Sequence, residues 1–219
     1  MLFTEFDENV WQNQKKLLAF FSKKICIGTD EVGRGCLAGP VVAASIILPP
    51  FSNFFVTDSK KISKKKREMI SKEILSRSPF IGIAFVHAKV IDDINILNAT
   101  KLAMKISVSR CLKNLKDAIS HQDILLCIDG NFSLPGVDEV SQVSVIKGDS
   151  IIASISAASV LAKVTRDAYM ESISRLYQGY HFEQHKGYGT ELHRQRISQL
   201  GITSLHRKTF CSGIDYASH

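Results

Sequence analysis

Apolar residues recur along this chain in two rhythms, and the rhythm changes several times. Residues 9–22 place Val10, Leu17, Leu18 and Phe21 on one face of a short amphipathic helix. Ile25 to Asp30 is an apolar run that ends in a carboxylate, and it predicts a first strand. Val41 to Leu48 is apolar or small throughout, rich in β-branched residues, and stops at Pro49-Pro50. That composition predicts a buried strand. Between the two strands lies a glycine-punctuated stretch, Gly33 to Pro40.

Asp58-Ser59 precedes a basic segment, helical from near Ser63. Ile81 to His87 predicts a third strand. Asp92 to Ser120 predicts a long helix, with Met104, Val108, Cys111, Leu115 and Ala118 spaced by four, three, four and three. Ile124 to Asp129 is a fourth strand, again apolar and again ending in a carboxylate. Val143 to Ile146 predicts a fifth. Asp149 is placed to cap a helix over Ser150 to Ser174. That helix carries Ala, Ser and β-branched residues on nearly every side, as a buried, closely packed helix does. The remainder, 181–219, reads as loops and short helices and holds five of the seven histidines. Strands followed by helices of this length predict an α/β fold, with a mixed or parallel sheet covered on both faces. The expected order has antiparallel, hairpin-joined partners on one side and parallel crossovers on the other.

Composition narrows the class without naming a function. The chain has 219 residues, 45% hydrophobic and 22% charged, enough to bury a core in one domain without disulfides. Its 28 Lys and Arg against 21 Asp and Glu give a net charge of +7, which modestly favours a polyanionic partner. The five cysteines are odd in number and form no CxxC pair, which indicates a reducing compartment and no zinc-site spacing. Glu5, Asp7 and Glu8 are unlike a signal peptide. The uncharged run Ile151 to Ala162 is too short to span a bilayer. A cytoplasmic monomer with no membrane contact is the default.

The carboxylates carry the chemistry. Asp30 and Asp129 each end a strand and precede a glycine-bearing turn. Ligand sites in open α/β sheets lie outside the C-terminal ends of strands, so parallel neighbours would put both in one crevice. On the buried helix, Val160, Val164 and Asp167 share a face, which delivers Asp167 to the sheet rim. Glu31 follows Asp30 where the strand is expected to break, so its side chain need not point away. Any one of these residues, taken alone, is more often a turn former or a helix cap than a ligand. Convergence from separate elements points to a site. Clustered carboxylates repel unless cations neutralise them, and Mg²⁺ or Mn²⁺ suits such oxygen ligands. Two such ions about 4 Å apart are a device for phosphodiester hydrolysis.

Six ordered blocks then become specific. Ile27 to Val42 reads IGTDEVGRGCLAGPVV and resembles the signature of ribonuclease HII. Asp58-Ser-Lys-Lys-Ile-Ser63 with Arg67, Cys127-Ile-Asp-Gly130, and Lys147-Gly-Asp149 followed by Ala157 to Asp167 resemble further segments of that family. So do His185-Lys-Gly-Tyr-Gly-Thr190 with His193, and His206-Arg207 with Phe210. The resemblance implies a ribonuclease H-like mixed five-stranded sheet flanked by helices, with a small C-terminal helical segment. It implies a single catalytic domain over 1–219, its α/β core over roughly 1–175. It implies endonucleolytic cleavage of RNA in RNA–DNA hybrids and 5′ of single ribonucleotides in duplex DNA, leaving 3′-hydroxyl and 5′-phosphate ends. A place in ribonucleotide excision repair and DNA replication goes with that activity. The implied cofactor is Mg²⁺ or Mn²⁺, as two ions, on Asp30, Glu31, Asp129 and Asp167. The implied substrate contacts are Gly33, Arg34 and Gly35, with Tyr188. The sister family, ribonuclease HIII, carries an extra N-terminal domain and departs from Gly-Arg-Gly at this loop, so both features point to HII.

The chemistry of these parts fits that assignment. Glycines at 33 and 35 let backbone approach a 2′-hydroxyl, the group that separates RNA from DNA. Arg34 suits a phosphate, and Tyr188 between two glycines suits stacking on a sugar. Lys60 to Arg67 places six positive charges in eight residues, with Lys60 and Lys61 expected near the substrate and the rest solvated. His181 and His185 share a helical spacing, but nearby glycines mark a loop. A hydrogen-bonding or phosphate-contacting role for His185 or His193 fits better than zinc. Two alternatives stay open: a DNA nuclease or resolvase of the same fold, and a non-catalytic nucleic-acid-binding module, which leaves the acidic cluster unexplained.

Overall fold

The computed structural model describes residues 8–48, 62–115 and 119–216. Helix α1 (Glu8–Phe20) leads to β1 (Ile25–Val32) and β2 (Val41–Ile47), followed by α2 (Lys64–Arg77) and β3 (Ile81–Val86). Then come α3 (Ala88–Leu115), β4 (Ile124–Asp129), β5 (Ser141–Val145) and α4 (Ala153–Ser174). Three short helices close the described chain: α5 (Phe182–His185), α6 (Glu191–Leu200) and α7 (Lys208–Cys211). The strands form one mixed sheet in the order β3-β2-β1-β4-β5. β1 pairs antiparallel with β2 and parallel with β4, so the expected division into antiparallel and parallel sides is the one that forms.

Period-two alternation explains why both faces are covered. Val41, Ala43 and Ile47 of β2, with Ile124, Leu126 and Ile128 of β4, pack against Met104, Val108 and Cys111 of α3. The alternate residues Ala44 and Ile46 face Ala157, Ala158 and Leu161 of α4 on the opposite side. Small residues let α4 approach closely. A Cβ built on Gly28 of β1 would lie 2.1 Å from the Ser154 carbonyl carbon and 2.2 Å from the Ile155 nitrogen. That contact fixes α4 against β1, and with it the position of everything further along α4.

Three local expectations are corrected. β1 does not break at Asp30 but continues to Val32, because Asp30, Glu31 and Val32 pair with Ala44, Ala43 and Val42 of β2. Asp149 does not cap α4. Lys147 adopts a left-handed φ of 57°, and the chain turns tightly through residues 148–150 before the helix begins at Ala153. Asp149 is buried in that turn, and an early N–H of α4, that of Ser154, donates instead to Gln14 Oε1 on α1 at 2.9 Å. α3 starts earlier than its apolar periodicity and is broken at Asn95, with φ 65°. The Asn95 side chain accepts from the Asn98 N–H at 3.1 Å and caps the second stretch.

The C-terminal helices are tied together by three buried histidines whose protons can be placed. His193 Nδ1 lies 2.9 Å from the Tyr188 carbonyl, so it donates. His206 Nδ1 accepts from the Thr203 N–H at 2.9 Å, which leaves its Nε2–H to donate to His193 Nε2 at 3.2 Å. His185 donates from Nε2 to the Tyr180 carbonyl at 2.8 Å and stacks on His193 with ring centroids 4.3 Å apart. All three rings are therefore neutral and all their nitrogens are taken. His185 and His193 have the hydrogen-bonding role expected of them, inside the fold.

Two predictions follow from this packing. Gly28→Ala should destabilise the protein by roughly 1–3 kcal/mol or more through overpacking, read as a lower denaturant midpoint. An unchanged midpoint would mean that α4 does not sit this close. Burial pushes His193 down to about 4 and His206 to about 3. A depressed pKa stabilises the fold above the unfolded value near 6.5 and loses that contribution as pH falls through the folded values. Stability should therefore fall between about pH 6.5 and pH 4, by about 1.4 kcal/mol per pH unit for each histidine. Denaturation curves that coincide at pH 7 and pH 5 would contradict this.

Candidate active site

Parallel pairing of β1 with β4 ends at Thr29 opposite Ile128. Asp30 and Asp129 are the next residues on the two strands, so the fold sets both at the same sheet edge. Asp30 shares the α4 side of β1 with Gly28 and is 4% exposed. Its Oδ1 accepts from the Glu31 N–H at 2.7 Å, and Ser159 of α4 hydrogen-bonds the carboxyl as well. Burial raises the Asp30 pKa well above the ordinary range, and the charges of Glu31 and Asp129 raise it further. Glu31 is raised too, by burial first and Asp129 next, against the opposing charge of Arg34. Asp129 Oδ1 accepts from the Gly148 N–H at 2.6 Å, which fixes that carboxylate on the turn before α4.

One atom here has no hydrogen-bond partner among the described residues. Glu31 Oε1 lies 3.3 Å from Arg34 Nη1, but Glu31 Oε2 is buried and unbonded. A buried carboxylate oxygen without a donor is costly. With three mutually repelling carboxylates of hard oxygen character, it matches the chemistry of a Mg²⁺ or Mn²⁺ site.

Asp167 reaches the region from α4, paired with Lys163 Nζ at 2.9 Å. Among the described residues, no three His, Cys, Asp or Glu side chains are gathered tightly enough to hold one metal ion. A Mg²⁺ ion commonly takes only one or two carboxylates and completes its shell with water and substrate phosphate.

The loop between β1 and β2 forms the adjoining wall. Gly33 has φ 94°, and a Cβ there would lie 2.2 Å from Arg166 Nε. A Cβ on Gly35 would meet nothing within 4 Å, so backbone there is open to a ligand. Cys36 bridges Tyr188 across the loop, and its sulfur hydrogen-bonds the Tyr188 side chain. The Tyr188 ring is 37% exposed, with Lys163 Nζ 5.5 Å and Arg166 Cζ 5.7 Å from its centroid. Asp30, Glu31 and Asp129 thus influence one another at the sheet edge, while Asp167 and Tyr188 share Lys163 as a neighbour. Lys60 lies outside the described residues.

Sequence reasoning missed several members of this neighbourhood. Lys64 is exposed, as expected, and it also pairs with Glu171 of α4 at 2.6 Å, while Glu171 holds Lys186 at 3.1 Å. Lys64, Arg67 and Asp167 line one small cavity. Arg166 and Arg207 are fully buried, and both bond loop carbonyls. Each stood in a motif already noted, but nothing in the sequence marked either as buried.

The strand order, with carboxylates at the edge shared by two parallel strands, defines the ribonuclease H-like class of α/β enzymes. The family model described as Ribonuclease HII matches residues 27–213. The chain belongs to the ribonuclease HII family. It is 46% identical over 187 residues to a ribonuclease HII of Desulfotalea psychrophila, covering 85% of this chain and 80% of that one. It is 44% identical over 209 residues to one of Caldicellulosiruptor bescii, covering 95% and 96%. Among solved structures, the PCNA:RNase HII complex from Archaeoglobus fulgidus aligns with TM-score 0.68 at 21% identity, covering 86% of this chain and 94% of that one. Bst-RNase HIII in complex with Mn²⁺ aligns with TM-score 0.67 at 18% identity, covering 87% and 68%. These structures support the fold, and the family makes the chain a ribonuclease H, a hydrolase that cleaves RNA in RNA–DNA hybrids.

The electrostatics make a direct prediction. A raised Asp30 pKa means its stabilisation is present below the unfolded value and lost as pH rises through the folded one. At neutral pH without divalent metal, the buried Asp30 carboxyl beside Glu31 and Asp129 therefore costs the fold stability. Asp30→Asn should raise stability by roughly 0.5–2 kcal/mol at pH 7 in chelator, with the gain vanishing below about pH 4. Thermal melts showing the variant less stable at pH 7 would refute that cost.

Proposed function

We propose that this ribonuclease H incises duplex DNA on the 5′ side of single embedded ribonucleotides as well as cutting longer hybrids. The products carry 3′-hydroxyl and 5′-phosphate ends. Asp30, Glu31, Asp129 and Asp167 are the residues that would hold Mg²⁺ or Mn²⁺, taken as two ions. Such ions supply a water activated at neutral pH and charge stabilisation for the leaving 3′ oxygen. The observation that carries this reading is the buried, unbonded Glu31 Oε2 beside the mutually repelling Asp30 and Asp129.

The protein's own groups then bind and orient. Open backbone at Gly35, with Gly33 and Arg34, faces the ribose, and hydrogen bonds there select a 2′-hydroxyl. Arg34, 44% exposed, makes no side-chain hydrogen bond other than that to Glu31 among the described residues, which leaves donors for a phosphate. Tyr188 presents a ring face to the sugar next to the scissile phosphate. Lys64, Arg67 and the Lys60–Lys61 segment contribute sequence-independent phosphate contacts. No helix among the described residues is long and apolar enough to cross a membrane. The reading takes the chain as a single catalytic domain acting as a monomer in the cytoplasm, in ribonucleotide excision repair and DNA replication.

A gel assay tests this on a DNA duplex carrying one ribonucleotide, beside an all-DNA duplex and a chelator control. The expected result is a metal-dependent cut 5′ of the ribonucleotide and none in the all-DNA duplex. Asp129→Asn should lower turnover by roughly a thousandfold or more while leaving duplex affinity close to that of the parent. Cutting of both duplexes alike would instead indicate a DNA nuclease, and no cut by folded protein with either metal would indicate a binding module.

A further inference from the structure

Arg207 lies in the C-terminal segment, more than 160 residues from the loop it bonds. Its side chain is fully buried, and among the described residues it makes no ion pair. All of its hydrogen bonds go to loop carbonyls. Nη1 donates to the Arg34 carbonyl at 2.7 Å, and Nη2 to those of Gly33 at 2.7 Å and Gly39 at 2.9 Å. Nε donates to the Gly39 carbonyl at 3.1 Å. The backbone N–H of Arg207 adds a bond to the Leu37 carbonyl at 2.8 Å, and Phe210 sits 5.2 Å beneath the guanidinium.

The consequence follows from peptide geometry. In a planar trans peptide the C=O and the following N–H point in opposite directions. Holding the Gly33 and Arg34 carbonyls inward therefore turns the N–H groups of Arg34 and Gly35 outward. Neither N–H donates to a protein acceptor among the described residues, and the space beside Gly35 is open. A flexible Gly-Arg-Gly segment would otherwise sample many orientations, because glycine restricts its backbone least.

We propose that Arg207 is the positioning residue for ribose discrimination: its guanidinium orients two peptide planes so that their N–H groups meet the 2′-hydroxyl region of the bound strand. The inference rests on the reading that this loop faces the ribose. A guanidinium fork serves two adjacent carbonyls in one plane, whereas a lysine ammonium is a point donor on a flexible stem. Arg207→Lys keeps the charge and loses the fork.

The test uses the full chain in an Asp129→Asn background, with Mg²⁺, so that substrate is bound and not consumed. Affinities are measured for duplexes that differ in one ribonucleotide. The Asp129→Asn protein should prefer the ribonucleotide-containing duplex. Adding Arg207→Lys should reduce that preference at least tenfold and leave affinity for the all-DNA duplex unchanged, which general loosening of the fold would not do. An unchanged preference in folded Arg207→Lys protein overturns the proposal. Absence of preference in the Asp129→Asn protein itself overturns the ribose reading of the loop, and the proposal with it. A second measurement needs no variant: backbone order parameters of Arg34 and Gly35 in the free protein should already be near 0.85, and values below about 0.6 would overturn the preorganisation.

Discussion

Two buried guanidiniums, which form no ion pair among the described residues, hold the loop between β1 and β2 in place. Arg166, on α4 beside Asp167, donates to the carbonyls of Pro40, Ala38 and Lys186. Arg207 donates to those of Gly33, Arg34 and Gly39. A buried charge is tolerated only when its hydrogen bonds are satisfied. Here the side-chain hydrogen bonds of both go to backbone carbonyls of the loop between β1 and β2 or of the segment before Tyr188. Hydrogen bonds to a charged group contribute about 1.5–3 kcal/mol each, so the loop is held by side chains rather than by regular structure. Burial and the neighbouring Arg166 press the Arg207 pKa down to about 10, which leaves it charged at neutral pH.

This clamp joins what the sheet separates. β1 carries Asp30 and Glu31, β4 carries Asp129, and α4 carries Asp167 and Arg166. The close approach of Gly28 to Ser154 sets the depth of α4 on the sheet, and Arg166 fastens the far half of that helix to the loop. The proposed metal-binding acids thus sit on strands and a helix, while the loop proposed to face the ribose is held by arginine. That division follows the general logic of sites held on a scaffold.

The acidic edge illustrates the tension between stability and function. Asp30 and Glu31 are buried with like charges nearby, and one Glu31 oxygen has no donor. The fold tolerates this cost because β2 pairs with β1 through Asp30 to Val32, and β4 holds β1 as far as Thr29. The C-terminal histidines show the opposite economy. Each ring nitrogen is matched to one partner, and neutrality is built into the packing.

Much of this was readable along the chain, because strand alternation and helical periodicity are local properties of the residues themselves. The five strands, the long helices, and the carboxylates at 30, 129 and 167 could be placed from apolar runs and what ended them. Ordered motifs added the ribonuclease HII resemblance and the roles expected of Glu31 and of the Gly33–Gly35 loop. Local pattern was less reliable at element ends. Asp149 had the right residue type for a cap, but a left-handed Lys147 and a distant Gln14 decided how α4 begins. Only the tertiary structure decided which polar side chains are buried and what they bond. Arg166, Arg207 and the three histidines look like surface residues in sequence, since their partners are carbonyls and rings brought near by the fold and carry no residue-type signature. What the sequence determined alone was the identity and order of the chemistry; the fold decided its orientation, because hydrogen-bond direction depends on groups up to 174 residues apart.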